Sequence, residues 1–241
     1  PTIFNVQVEK TGATAARISF ETNELTTGWI RCSLECGGPY PTVSGDLTLA
    51  TIHSVLLLDL ASETDYYFVI DANDAVGNQT ADSNSGSCYL FTTITPVVIH
   101  VPGDFLTIRA AIDEVWHGDT VIVADGTYTG VGNRDIDFQG GAITVRSENG
   151  PNNCIIDCNG APNEPHCGFY FHSGEGPSSV LSGFTIINGY GQLTYIGYGY
   201  VTCGGGIYCH DSSPLIENCI IRDNDANFGG GMCNLDGSSP I

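Results

Sequence analysis

Two stretches near the end of the chain repeat each other. Residues 204–214 read Gly-Gly-Gly-Ile-Tyr-Cys-His-Asp-Ser-Ser-Pro, and residues 229–240 read Gly-Gly-Gly-Met-Cys-Asn-Leu-Asp-Gly-Ser-Ser-Pro. Gly204, Gly205 and Gly206 return as Gly229, Gly230 and Gly231, and Asp211 returns as Asp236, all 25 positions on. One added residue, Gly237, then brings Ser212, Ser213 and Pro214 back as Ser238, Ser239 and Pro240. Self-similarity at a fixed period of about 20 to 50 residues marks a stacked fold in which each unit buries its apolar face only against its neighbours.

Further β-runs with Gly, Asn, Ser and Pro corners extend this reading: 120–124, 142–146, 154–157, 168–172, 180–187, 206–209, 215–222 and 231–233. Alternation directs Ile143, Val145, Phe169, Phe171, Phe184, Ile186, Cys219 and Ile221 inward. Thr185, Ile187, Ile220 and Arg222 then face outward, and Cys219, aligned over Phe184, is expected as a buried core thiol. Ahead of these runs, Thr107 N-caps a short helix with Ile108, Ala111, Ile112 and Val115 on one face, closed by Gly118 at positive φ. The helix, the run Gly140 to Cys158 and the repeat Gly-Gly-Gly-Ile … Ser-Ser-Pro … Ile-Glu-Asn-Cys together resemble a right-handed parallel β-helix of the pectin-lyase-like kind. The repeat is also similar to those of bacterial surface and polymorphic outer-membrane proteins. The resemblance implies that the helix plugs the open end of the coil, where apolar interior and unpaired backbone would otherwise be exposed.

The first part of the chain reads differently. Runs at 3–8, 16–20, 29–34, 53–60, 66–72 and 88–91 alternate with turn signals, the pattern of an antiparallel β-sandwich. Leu58-Asp-Leu-Ala-Ser-Glu-Thr-Asp-Tyr66-Tyr-Phe-Val-Ile, followed by Asp71-Ala-Asn-Asp-Ala-Val-Gly77-Asn78, resembles the second half of a fibronectin type III domain. That resemblance implies a tyrosine corner at Tyr66, with Phe20 where the family often has Trp, and a spacer or binding module. The expected fold is all-β. A fibronectin-III-like sandwich occupies 1–95, and a β-helix occupies 96–241, with its cap helix at about 107–117, its coils at 119–241 and an aromatic insert at 189–203.

Charge narrows the partners. Seven Lys and Arg against 27 Asp and Glu leave a formal charge of −20, a field that repels nucleic acid, anionic membrane and polyanionic sugars. Divalent cations, neutral glycans or a second copy of the chain remain. No run of 18 apolar residues is present for membrane insertion. The chain opens at Pro1-Thr-Ile-Phe without a basic leader, so a secretory signal is expected to be removed or to lie outside it. The ten Cys hold no Cys-x-x-Cys and point to disulfides or core thiols in an extracellular or cell-surface protein rather than to a metal site. Cys158 and Cys167 flank a Gly/Pro/Asn loop and are the candidate disulfide.

Candidate functional residues are few. The insert holds Tyr190, Tyr195, Tyr198 and Tyr200, which either stack on sugar rings or fold onto the side of the coil. Asp211 and Asp236 stack at about 4.8 Å, the inter-strand spacing, and are either screened by water and backbone or bridged by calcium. Asn78-Gln-Thr80 is a glycosylation sequon. Asp71, Asn73 and Asp74 lack the further acids and the closing Glu of a calcium loop, and read as a solvated turn. Trp116 and His117 read as packing at the margin of the cap.

In hydrolases of this fold an Asp-Asp pair and a Gly-His-Gly carry the chemistry, and neither string occurs. Arg109, Arg134, Arg146 and Arg222 are the basic residues of the coil region, without a lyase-like motif around them. His166, His172 and His210 lack an Asp or Ser at motif spacing. The expected function is a non-catalytic extracellular structural or adhesive module. The alternative is a polysaccharide-binding or polysaccharide-cleaving protein, a lyase or hydrolase. Because Ile241 falls one residue into a further strand with no second cap, end-to-end self-assembly is also expected.

Overall fold

A computed structural model describes residues 1–195, 197 and 199–241. The chain forms two compact units, Pro1–Pro96 and Val97–Ile241.

The first unit is wholly antiparallel. Its strands are β1 (Ile3–Thr11), β2 (Ala16–Ser33), β3 (Thr42–Leu57), β4 (Asp65–Asp74), β5 (Gln79–Asp82) and β6 (Tyr89–Thr92). The early half of β2 pairs with β1 and with the end of β3, while its late half pairs with β4 and with the start of β3. The change of partner falls between Glu21 and Thr26, where the register shifts and the buried Thr22 and Thr26 hydroxyls meet at 3.2 Å. The sequence reads this strand as two, because the intervening Asn-Glu-Leu breaks the apolar alternation. It also misses the first part of β3, an exposed segment with little apolar patterning. Ile18, Phe20, Ile30, Leu57, Phe68, Ile70 and Phe91 form the core. The Ala61 N–H donates to the Tyr66 hydroxyl at 2.9 Å, Cys36 is disulfide-bonded to Cys88, and Cys32 is a buried free thiol.

The second unit coils. In chain order come β7 (Val98–Val101), α1 (Ile108–Ile112), β8 (Thr120–Val123), β9 (Gly126–Thr129), β10 (Thr144–Ser147), β11 (Cys154–Asp157) and β12 (Phe169–Phe171). They are followed by β13 (Val180–Ser182), β14 (Thr185–Ile187), β15 (Gln192–Tyr195), β16 (Tyr200–Cys203), β17 (Ile207–His210), β18 (Leu215–Glu217), β19 (Ile220–Ile221) and β20 (Met232–Leu235). Apart from the antiparallel pair β15 and β16, each strand stacks on the matching strand of the neighbouring coil. The first sheet runs β7-β8-β10-β13-β18, the second β9-β11-β14-β19 and the third β12-β17-β20, all parallel. Three parallel sheets around one interior make this unit a parallel β-helix. The interior is a continuous apolar column that includes Val121, Val145, Leu181, Ile156, Ile186, Phe169, Phe171 and Ile207.

Corners hold the coils in register. The Glu175 carboxylate, 2% exposed, accepts from the Gly140 and Ser173 amides at 2.8 and 2.9 Å and from the Ser212 hydroxyl at 2.8 Å. Those donors lie in three successive coils. Asn224 accepts from the Gly189 amide at 2.8 Å and donates to the Ile186 carbonyl at 2.9 Å, again across one coil. The repeated glycines have a steric cause: a Cβ on Gly205 would lie 2.2 Å from the Gly230 carbonyl oxygen of the next coil.

Several expectations need correction. The helix spans five residues rather than the expected 107–117. Thr107 does cap it, accepting from the Ala110 amide at 3.3 Å, and Asn133 accepts from the buried Ile108 amide at 3.1 Å. The helix ends at Asp113, so Gly118, at φ +93°, belongs to the turn into β8 and does not close it. Thr185 does face away from the column, in register with Ile155 and Ile220, but it is covered there, and its hydroxyl donates to the Pro151 carbonyl at 2.6 Å. Cys219 packs against the core but is only partly buried. Cys158 and Cys167 are both buried and unbonded. Cys158 joins the interior column, whereas Cys167 lies outside it and meets Gln192, so the two thiols are on opposite sides of the wall.

Candidate functional site on the outer face of the third sheet

Alternation in β12, β17 and β20 sends Phe169, Phe171, Ile207 and Cys209 inward and leaves Tyr170, Tyr208 and Cys233 in one outer row, matched by register. The Tyr170 and Tyr208 rings are 5.1 Å apart, and the His172 ring stacks on Tyr170 at 3.9 Å. Burial raises both phenols above their ordinary pKa, so they stay protonated and able to donate hydrogen bonds.

The aromatic insert lies on this row. Its two strands, β15 and β16, pair antiparallel as a hairpin, and Thr194 bonds the Tyr208 phenol. Cys203, Tyr208 and Cys233 form a second small core beneath it, with Tyr170, Val201 and Leu235 packed around. The expected loop is therefore a hairpin folded onto the coil side. Tyr195 and Tyr200 stand opposite each other across it, 60% and 69% exposed, with ring centroids 5.3 Å apart. Tyr190 is half-buried at the root, where its backbone amide donates to the His166 carbonyl at 2.7 Å. Tyr198 lies outside the described residues.

All three histidines read as lone have acidic partners. His166 Nδ1 is 2.5 Å from Asp135, and its Nε2 is 3.3 Å from Glu164, which Arg134 also holds at 3.2 Å. Gln192 donates to the same Asp135 at 2.6 Å, pinning the hairpin root. His172 Nε2 is 3.1 Å from Asp137. His210 Nε2 is 2.7 Å from Asp236, and its Nδ1 is 3.8 Å from Asp211. Each partnership crosses to a neighbouring coil except the contacts of His166 with Glu164 and of His210 with Asp211, so motif spacing along the chain did not show it.

The stacked acids Asp211 and Asp236, both at positive φ, follow the paired residues His210 and Leu235. An imidazole sits between their carboxylates. Among the described residues no group of three or more His, Cys, Asp or Glu is placed to hold a metal.

Cys167, His166 and Asp135 superficially suggest a thiol nucleophile with its base. Complete burial, followed by the Asp135 charge, pushes the Cys167 thiol well above its ordinary pKa. Its Sγ donates to the Phe169 carbonyl at 3.4 Å, and both His166 nitrogens already have carboxylate partners. The arrangement holds the hairpin and the coil together, with the proton-transfer positions occupied. Elsewhere, Trp116 and His117 meet edge to face at 5.0 Å, and His117 Nδ1 accepts from the Ala142 amide at 3.0 Å. Asn78 is exposed in a turn, with its side-chain amide donating to Asp74 at 2.6 Å.

No protein-family model matches the sequence, and no curated protein matches it. Among solved structures the chain is similar to a family 28 exopolygalacturonase from Yersinia enterocolitica at a TM-score of 0.34 and 11% identity, covering 90% of this chain and 41% of that one. It is also similar to a pectate lyase from Pectobacterium carotovorum at a TM-score of 0.25 and 11% identity, covering 88% of this chain and 66% of that one. The chain thus spans less than half the length of the first of these.

Proposed function

We propose that the chain is a non-catalytic extracellular structural or adhesive module: a fibronectin-type spacer followed by a right-handed β-helix whose entrance is plugged by α1. One observation carries this reading. The side chains that would be recruited for acid–base or nucleophilic chemistry on the third-sheet face are engaged in joining one coil to the next, as His166 is with Asp135 and His210 with Asp236. The Tyr66 hydroxyl contact with the Ala61 amide supports the fibronectin-type reading of the first unit. Buried Ile108, Ala111 and Ile112 in the interior column support the plugging role of the helix. The Cys36–Cys88 disulfide supports an oxidising compartment.

The reading is tested by incubating the chain with neutral and acidic polysaccharides. No new reducing ends and no absorbance from unsaturated ends are expected. Release of either product would replace the structural reading with an enzymatic one.

A second reading has its own observation. Tyr195 and Tyr200 are exposed and close enough for one sugar ring to contact both, which favours glycan contact at the hairpin. Loss of glycan retention in Tyr195→Ala and Tyr200→Ala, with the melting curve unchanged, would assign binding to the hairpin.

A further inference from the structure

We infer that the first unit carries its own binding site for a neutral pyranose glycan, in a groove on the outer face of the sheet formed by β3, the late half of β2, β4 and β5. The groove has a volume of about 540 Å³ and is lined by Trp29, Arg31, Val43, Asp71, Asn73 and Gln79, among others. That volume is within the range of small-molecule sites. Two kinds of side chain meet there, and together they match what a sugar ring presents.

The first is an aromatic platform. Trp29 pairs with Gly45 on one side and with Asp71 on the other. A Cβ on Gly45 would lie 2.2 Å from the Trp29 ring, so the indole rests on bare backbone and any other residue there would displace it. With one side supported by Gly45, the ring is fixed as a wall of the groove. The C–H face of a pyranose packs on such a surface.

The second is a fixed set of planar polar groups beside it. Arg31 bonds Asp71 twice, through Nε to Oδ2 and through Nη2 to Oδ1, the latter at 2.9 Å. The guanidinium also lies 5.0 Å from the Tyr40 ring centroid. Nη1 and the remaining carboxylate lone pairs face no partner within that bidentate pair, so they can donate to and accept from adjacent hydroxyls. Asn73 and Gln79 pair directly across β4 and β5 and add two amides to the same wall.

The charge at the site selects among sugars. Arg31 is neutralised by Asp71, and the chain as a whole carries −20. A uronate or phosphorylated sugar therefore meets no uncompensated cation, while a neutral ring loses nothing. The inference supplies a ligand class for the adhesive reading and rests on a different unit from the hairpin tyrosines. Cleavage of a polysaccharide would remove the adhesive reading without touching this site, and the experiment below can fail while that reading stands.

The sequence holds two Trp, so Trp116→Phe in the full chain leaves Trp29 as the sole indole reporter. That variant is titrated with cellohexaose, mannohexaose, xylohexaose and polygalacturonate while its emission is followed. A saturable change is expected with at least one neutral hexaose, and none with polygalacturonate. Arg31→Gln, which keeps the reporter, is expected to weaken binding about tenfold, equivalent to about 1.4 kcal/mol. Calorimetry on Trp29→Ala is expected to show no binding, whereas Val131→Ala, at an exposed position of the second unit, binds as the parent does. No emission change with any hexaose up to about 10 mM, the weak end of specific affinity, would overturn the inference. Binding that survives Trp29→Ala, or a response confined to polygalacturonate, would overturn it equally.

Discussion

The two units are both built of strands and hold together in opposite ways. In the first, one long strand is shared between two antiparallel ladders, and a single core under it takes side chains from most of the strands. In the second, apart from the hairpin and the first pair β7 and β8, no strand pairs with its neighbour in sequence, and each parallel ladder joins residues a whole coil apart. Loss of one element in the first unit therefore disturbs the whole core. Loss of one coil in the second disturbs mainly the coils that flank it. The cysteines show the same contrast. A disulfide ties the loop at Cys36 to Cys88 in the first unit, while the coils use free thiols such as Cys154, Cys158 and Cys209 as small buried fillers.

The contrast can be broken most strongly at Phe169, which is fully buried and packs against Phe138, Phe171 and Phe184 from three coils. Phe169→Ala is expected to destabilise the second unit by about 3–5 kcal/mol. Differential scanning calorimetry should show that transition fall while the first unit's stays, and a joint fall would refute independent stabilities. Replacing Cys36 and Cys88 with Ser should do the reverse, lowering the first unit by about 2–4 kcal/mol and sparing the second. Glu175→Gln puts an amide where three donors converge, and is expected to cost the coils about 1–3 kcal/mol in urea denaturation.

Two further measurements sharpen the picture with smaller effects. Burial raises Cys154, Cys158 and Cys209 to about 12, so alkylation of the native chain at pH 8 should spare all three and reach them only in denaturant. Native labelling at Cys158 would show that the coils open. In the first unit, burial lowers the pKa of His53, whose Nε2 is 3.0 Å from the Thr26 hydroxyl and whose Nδ1 meets no hydrogen-bond partner among the described residues. The unfolded chain takes up a proton near pH 6.5 and the folded one only at lower pH. Stability of this unit is thus full above about 6.5 and falls as pH drops toward the folded value. His53→Gln should flatten that slope in pH-dependent melting, and an unchanged slope would assign it elsewhere.

Much of the coil was legible because its signal is periodic. The glycine triads, the inward pairs Phe169/Phe171 and Phe184/Ile186, and the Thr107 cap follow from local chemistry repeated at intervals. The partners of His166, His172 and His210 were not legible. Asp135, Asp137 and Asp236 lie 31, 35 and 26 residues away, distances set by the length of each coil rather than by any motif. The Trp29 groove escaped for a related reason: Gly45 reads as a loop residue until β3 is seen to lie under the indole. The pairing of Cys158 with Cys167 failed because loop proximity says nothing about which side of the wall each thiol faces.

Thr120, Thr144, Val180 and Leu215 stack directly on one another in the first sheet, although 24, 36 and 35 residues separate them along the chain. The ladder is thus indifferent to path length. Much of the surplus emerges between the second and third sheets, as the loop at 158–168 in one coil and as the hairpin in the next. A foreign segment grafted at that corner would be carried outward without altering the stack beneath it. A lineage, or an engineer, can change what this surface displays by editing one loop, leaving the spine that supports it untouched.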